Sequence, residues 1–476
     1  MMAERSVADS AAYHFIGIGG IGMSALAYIL AGQGYRVSGS DLSNNSCTQR
    51  LAEMGVHFCQ GHAAENIRGQ PQVVHSTAIK PNNPELAAAI DRQLPICHRS
   101  DILAQLINDR PSIGVAGTHG KTTTSSLIAC MMLKAGLDPT AAIGGEVELL
   151  GGNARLGRGE YFVAEADESD GSLVKLKPTI GVITNIELDH PDRFQTLDEV
   201  IEVFQQFVSG SQVTIASLDC PTVAASIPVD VGYSLEDRPD AVYWARDVQV
   251  VAGGTVASVW ERGELLGTLK LRLLGRHNVS NALAAIAVGR QLGLEFDAIA
   301  EALANCEGAR RRFELKGTVN SVQFVDDYAH HPTEIEATLA AASTQQQRIV
   351  AVFQPHRYSR VASLFDEFAH SFAHAATVIV VPIYAAGEQP LPGRETQSAQ
   401  TLAAAIEAAR PSQTGSTNGR SVYYEPDLAQ LSDRLVPLLQ DNDLVLFLGA
   451  GNLNRSIPDI MSAYRQQTEQ SQTAIP

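Results

Sequence analysis

The sequence predicts an α/β protein built as three domains in series. Three observations lead there. The chain has 476 residues, room for about three domains of ordinary size. Short apolar runs alternate with longer helical patterns along most of it, the texture of strand–helix units with parallel sheets. Two glycine-rich loops, GIGGIG at 17–22 and GTHGKT at 117–122, each lie between an apolar run and a helical one.

The elements follow in order. In the first domain, 1–109, YHFIGI (13–18) is a strand, GIGGIG a turn and MSALAYILAG a helix, with strands YRVSGSD, QVVHST (72–77) and LPICH (94–98) after it. The polar stretch INDRPS (107–112) closes that unit. The second domain, 110–314, opens with IGVAG, the second loop and a helix, and continues through the strands YFVAEAD (161–167) and TIGVITNIE (179–187). Between 230 and 275 a turn-punctuated alternating pattern holds both Trp244 and Trp260 and predicts antiparallel strands added at the sheet edge. Helices HNVSNALAAIAVGRQLG and FDAIAEALANC follow. In the third domain, 315–476, SVQFVDDYA, RIVAVFQP, ATVIVVPIY and DLVLFLGAG are strands with Ala-rich helices between them, and the tail QQTEQSQTAIP is expected to fray.

Composition narrows the function. Thirty-five Lys and Arg against 52 Asp and Glu give a net charge of −17, which argues against nucleic-acid binding and against docking on an anionic membrane. The six cysteines are scattered without a C-x-x-C pair, so neither a zinc site nor a disulfide framework is indicated and a reducing, cytoplasmic setting is expected. The N-terminal stretch MMAERSVADSAAYHF carries acids and no apolar core, unlike a signal peptide. No apolar run is long enough to span a bilayer, and VIVVPIYAA at 378–386 reads as a buried strand.

Gly17, Gly19 and Gly22 match G-x-G-x-x-G, with Gly20 between them and Asp41 about 20 residues on. Such glycines let a pyrophosphate sit on the helix N-terminus, whether it belongs to NAD, FAD or another diphosphate. In the second loop, Gly117, Thr118, His119, Gly120, Lys121, Thr122 and Thr123 form a cradle for ATP. Lys121 is placed for the β and γ phosphates and the Thr122 hydroxyl for Mg²⁺. The loop is shortened, since Val115 stands where a full Walker motif has glycine.

Glu165 ends an apolar strand, where a carboxylate faces a phosphate loop. Asn185, Asp189 and His190 cluster after the next strand, and oxygen with imidazole donors suits Mg²⁺ or Mn²⁺. Asp167, Glu168 and Asp170 read equally as loop surface. Arg310, Arg311 and Arg312 precede a strand. Asp326, Asp327, Tyr328, His330 and His331 end another, and Arg357 and Arg360 follow a third, where guanidinium groups suit carboxylate or phosphate capture. Adjacent histidines seldom converge, so no metal site is expected at 330–331.

GIGGIGMSALA, GTHGKTTT, AEADESDGS, TNIELDHPD, GRHNVSNALAA, DDYAHHPTEI and FQPHRYSR occur in this order between residues 15 and 360. Together they resemble the Mur ligase family. The resemblance implies an N-terminal Rossmann-like domain for a UDP-sugar, a central P-loop ATPase-like domain with extra antiparallel strands, and a C-terminal Rossmann-like domain that closes over the site. It implies an ATP-dependent acid–amino-acid ligase of peptidoglycan synthesis. Its substrates would be UDP-N-acetylmuramate and L-alanine, joined through an acyl phosphate with release of ADP and phosphate. Gly17, Gly19, Gly20, Gly22 and Asp41 would then serve the UDP-sugar. Lys121 and Thr122 would serve ATP and Mg²⁺, and Glu165 and His190 would ligate metal. Asn278, Asn281 and Arg311 would contact nucleotide, and Tyr328, His330, Arg357 and Arg360 would receive L-alanine. Several sister ligases carry a carbamylated lysine after the Asp-His segment; here no lysine occurs between Lys177 and Lys270. Such a protein would be a monomer or homodimer. Three other readings compete: a sister ligase recycling a tripeptide onto the same UDP-sugar, an NAD-dependent oxidoreductase, and a non-catalytic nucleotide-binding scaffold.

Overall fold

The computed structural model describes residues 12–191, 193–251, 253–393, 396–410 and 421–473. They form three domains in series, each around its own sheet. The first sheet is wholly parallel. Its strands β1 (Ala12–Ile16), β2 (Arg36–Asp41), β3 (His57–Gln60), β4 (Gln72–His75) and β5 (Ile96–His98) lie in the order β3-β2-β1-β4-β5. The order reverses between β1 and β4, which opens a crevice at the carboxyl ends of the strands beside GIGGIG. Helix Ile21–Gly32 starts there and buries Met23, Leu26, Ile29 and Leu30. It is apolar nearly all round because Leu26 and Ile29 belong to one core with Ala154, Phe162 and Phe204 of the next domain.

The central sheet has ten strands: β6 (Ser112–Ala116), β7 (Thr140–Val147), β8 (Gly152–Arg155), β9 (Phe162–Glu165), β10 (Ile180–Ile183), β11 (Val213–Ser217), β12 (Val231–Ser234), β13 (Tyr243–Val251), β14 (Gly254–Glu261) and β15 (Glu264–Leu271). From β7 through β9, β6, β10, β11 and β12 to β13 every pairing is parallel; β13-β14-β15 is antiparallel and forms one edge, with the two tryptophans paired across it, and β8 pairs antiparallel with β7 at the other. Helix Lys121–Lys134, entered from β6, is buried along most of its length because helix Arg276–Gln291 covers its outer face.

The third sheet runs β16 (Glu314–Val319), β17 (Val322–Asp327), β21 (Asp443–Leu448), β18 (Arg348–Phe353), β19 (Thr377–Val380) and β20 (Ser421–Tyr424), parallel except for β16 on β17. Two expectations fail here. The run 378–386 is strand only to Val380, since Pro382 has no N–H for a further ladder bond. The tail does not fray over 466–473: helix Ile457–Thr473 continues through it, anchored by buried Ile460 and Tyr464 and by a hydrogen bond from Asn320 to Thr468. Its last residues, 474–476, and the N-terminal 1–11 lie outside the described residues.

Candidate active site at the domain junction

The phosphate loop is held by the segment after β10. Thr118 N donates to Asn185 O at 3.0 Å, His119 N to Asn185 Oδ1 at 2.8 Å, and Thr184 Oγ1 to His119 O at 2.6 Å. Gly117 sits at φ +138°, and a Cβ there would collide with Thr184 Oγ1, so only glycine fits. Lys121 Nζ donates to Thr118 O at 3.1 Å and to Glu168 Oε2 at 2.8 Å. Burial opposes its charge, but Glu168, Asp167 and Glu165 outweigh it and hold the ammonium above its ordinary pKa.

Glu168 departs from the surface reading. It is 1% exposed, and burial, aided by Asp167 against Lys121, pushes its pKa up to about 7. Its Oε1 is buried with no hydrogen-bond partner among the described residues and lies 3.7 Å from His190 Nε2. The Asp170 side chain is also buried, bonded to Arg99 Nη2 at 3.2 Å, while Asp167 stays partly open. His190 has φ +56° and a pKa lowered by burial, with Asp189 and Asp167 opposing, so the ring is neutral and able to act as a ligand. Asp167, Glu168 and His190 converge closely enough to hold a cation. Thr122 Oγ1 and Gly144 N both donate to Glu165 Oε2 at 2.9 Å. Lys121, Thr122, Glu165, Asp167, Asp189 and His190 face one cavity of about 550 Å³.

The third domain and the arginine segment that leads into it supply the opposite wall. Tyr328 and His330 line the same cavity with Arg310, Arg311 and Arg312. The guanidinium of Arg311 lies 5.0 Å from the Tyr328 ring and bonds Asp326 Oδ2 at 3.1 Å and Gly449 O at 2.6 Å. Arg360 binds Asp189 through two 3.1 Å contacts, both side chains nearly fully buried. Burial works against the Asp189 charge, but Arg360 holds the carboxyl far below the usual range. Arg357 lies 3.7 Å from Glu388 and carries φ +67°. Asn278 and Asn281 line a second cavity, about 490 Å³, with His119, Thr123, His277 and Arg312; it is Arg312 rather than Arg311 that reaches this one. Burial, with Arg312 nearby, pushes His277 down to about 4, leaving a neutral ring.

At the first domain's crevice Gly17 N and Ile18 N donate to Ser40 O. Asp41 accepts from Gly19 N at 2.9 Å and from Ser43 N at 3.1 Å, so its carboxylate shapes the loop. A cleft of about 310 Å³ runs from Gly20 and Gly22 past Arg99 to Glu165 and Asp167. Sequence reasoning missed Arg99, Glu187, His277 and Glu334. The His330 ring lies against Tyr328 and His356 and the His331 ring against His119, and His331 joins His119 and Glu187 in another cluster.

Three family models match in the order of the domains: the Mur ligase family catalytic domain over 12–111, the Mur ligase middle domain over 115–289 and the Mur ligase glutamate ligase domain over 311–451. The chain belongs to the Mur ligase family. Among this Mur ligase's relatives, a UDP-N-acetylmuramate–L-alanine ligase of Synechococcus sp. (strain JA-3-3Ab) is 59% identical over 453 residues, 95% of this chain and 86% of that one. Another of that name, from Nostoc punctiforme, is 54% identical over 95% of this chain and 96% of its own. The crystal structure of UDP-N-acetylmuramate-alanine ligase from Thermotoga maritima superimposes with a TM-score of 0.80 at 27% identity, covering 96% of this chain and 99% of that one. A murein peptide ligase from Psychrobacter arcticus shares the fold, with a TM-score of 0.68 at 23% identity over 96% of this chain and 99% of its own.

Proposed function

We propose that this Mur ligase joins L-alanine to the lactyl carboxylate of UDP-N-acetylmuramate at the expense of ATP, in the cytoplasmic synthesis of peptidoglycan precursors. The observation that carries it is one cavity walled on one side by Lys121, Thr122, Glu165 and His190 and on the other by Tyr328 and His330. The high identity to enzymes of that name supports this substrate pair over the tripeptide-recycling alternative. An oxidoreductase would leave the second phosphate loop without a role, and a passive scaffold would not need a buried Lys121–Glu168 pair. No helix among the described residues is long and apolar enough to cross a membrane.

The UDP diphosphate would lie on the GIGGIG loop, with Arg99 beside the cleft that leads to Glu165. ATP would place its phosphates on Gly117–Lys121 and its base beside His277 and Asn278. Two anionic reactants must then meet, and Lys121 with the helix N-terminus offsets their repulsion. The carboxylate attacks the γ-phosphorus and ADP leaves. The amine of L-alanine then attacks the acyl-phosphate carbonyl, and phosphate leaves from the tetrahedral adduct. Two donor sets here fit a hard divalent cation: the Thr122 hydroxyl with the Glu165 carboxylate, and Asp167 with Glu168 Oε1 and the neutral His190. Bound at either, Mg²⁺ or Mn²⁺ would neutralise phosphate charge. The third domain keeps the acyl phosphate from water, with Arg357 and Arg360 near the amino-acid carboxylate.

The test is phosphate release from ATP and Mg²⁺ with UDP-N-acetylmuramate, adding L-alanine, glycine, L-serine or the tripeptide separately. Release that needs L-alanine supports the reading; release only with the tripeptide would reassign the third domain's specificity.

A further inference from the structure

His119 belongs to the phosphate loop, yet its imidazole reaches across the domain boundary. Nδ1 lies 3.2 Å from Glu334 Oε1, Nε2 lies 3.4 Å from Glu187 Oε2, and the ring centroid lies 4.4 Å from that of His331, the two planes tilted by 42°. Glu334 carries the contact onward. Its other oxygen, Oε2, accepts the N–H groups of His330 at 3.0 Å and His331 at 3.3 Å and lies 3.1 Å from His330 Nδ1. Thr333 Oγ1 donates to Glu187 Oε2 at 2.9 Å, a second tie between the same two domains, made from the segment after β10. Burial works against a charge on His119, but Glu187 and Glu334 outweigh it and raise its pKa to about 9. His331 beside it is pushed down to about 4 by burial and by His119, and stays neutral.

Two imidazoles and a carboxylate also make the donor set of a cation site, but the tautomer argues otherwise. His331 Nδ1 accepts Thr333 N–H at 3.3 Å, which puts the ring proton on Nε2 and leaves no lone pair there for a metal.

We infer that the His119–Glu334 ion pair is a positioning device coupling the phosphate loop to the amino-acid site: His119 holds Glu334, Glu334 orients His330, and L-alanine is received well only when the loop is in place. This rests on the ligase reading above. It differs from a simple helix cap, because a cap would hold Glu334 on His330 and His331 without any help from the phosphate loop.

Initial rates with varied L-alanine, at saturating ATP and UDP-N-acetylmuramate, test it in His119→Ala, Glu334→Gln and the double variant. The amide in Glu334→Gln keeps an oxygen for the helix cap while losing the charge, so the fold is retained; His119→Gln replaces His119→Ala if the latter melts early. Each single change is expected to raise KM for L-alanine about tenfold, with a much smaller rise in KM for ATP, and the double variant to match the worse single one. Multiplying effects, or equal rises in both KM values, would overturn the coupling alone. A wild-type protein with no alanine-dependent phosphate release would remove the ligase reading and this inference together.

Discussion

Arg360 and Asp189 meet in a two-pronged ion pair, Nε to Oδ1 and Nη2 to Oδ2, each 3.1 Å, although 171 residues separate them in the chain. One belongs to the third domain and the other follows β10 of the second, beside His190. Because Asp189 takes the Nε–Nη2 edge of the guanidinium and Nη1 lies 3.2 Å from His356 Nδ1, Arg360 keeps only its outer Nη1–Nη2 edge for a further partner. The pair therefore aims Arg360 as well as closing the domains.

Asp189→Asn should leave a buried guanidinium without its counter-charge, at a cost of about 3–5 kcal/mol shared between stability and substrate binding. A lowered Tm and a rise in KM for L-alanine of about tenfold or more are the expected outcomes in thermal melts and steady-state rates. Asp189→Leu with Arg360→Met should recover most of the Tm without the activity. Recovery of both would mean that Arg360 does not receive the amino-acid carboxylate.

Lys121→Ala should abolish ADP formation while the protein stays folded. On the proposed reading the lost charge acts on phosphates in a closed site, where removing such a group costs about 10²–10³ in rate or more. Glu168 would take up a proton once its partner is gone, which limits the damage to stability. Single-turnover ADP formation measures it, and wild-type rates would sink the phosphate-loop assignment.

The parts of the site that end apolar strands were legible in the sequence, because an apolar run that stops at Glu165 or Asp327 places its last polar group at the carboxyl edge of a sheet. Strand β7 was not legible. TAAIGGEV is small-residue rich and bulges between Ala142 and Val147, so it has neither alternation nor bulk to announce a strand. Glu168 sits in the acidic run AEADESD, which resembles surface; its burial depends on Lys121, 47 residues earlier. Asp189–Arg360 and His119–Glu334 are invisible for the same reason: each depends on how two domains dock, and spacing along a chain holds no record of that.

His119 makes stability depend on pH in a direction that can be worked out. Its pKa rises on folding from the ordinary value near 6.5 to about 9, through Glu187 and Glu334 overcoming burial. The folded form therefore holds the proton more tightly. The contribution is fully present below about pH 6.5 and is lost as pH rises through about 9, on the order of 3 kcal/mol over that window. Urea unfolding of the wild type and His119→Gln at pH 6.5, 8 and 9.5 should show the difference between them shrinking as pH rises; a constant difference would place the charge elsewhere.

Gly144→Ala isolates the role of Glu165. Gly144 is not among the glycines with a positive φ, so alanine brings no backbone strain there. What it brings is a methyl group driven into the Glu165 carboxylate, a contact no real atom pair tolerates, and the flexible side chain must swing aside. That breaks the 2.9 Å bonds from Gly144 N and Thr122 Oγ1 together. Since a divalent cation would use both Thr122 and Glu165, the concentration of Mg²⁺ needed for half-maximal rate should rise about tenfold, while KM for L-alanine, which the proposed function assigns to the opposite wall, changes little. Rates titrated with Mg²⁺ at fixed ATP read this directly. An unchanged Mg²⁺ requirement beside a lowered rate would move the cation to Asp167, Glu168 and His190, and leave Glu165 as a brace for the Thr122 hydroxyl.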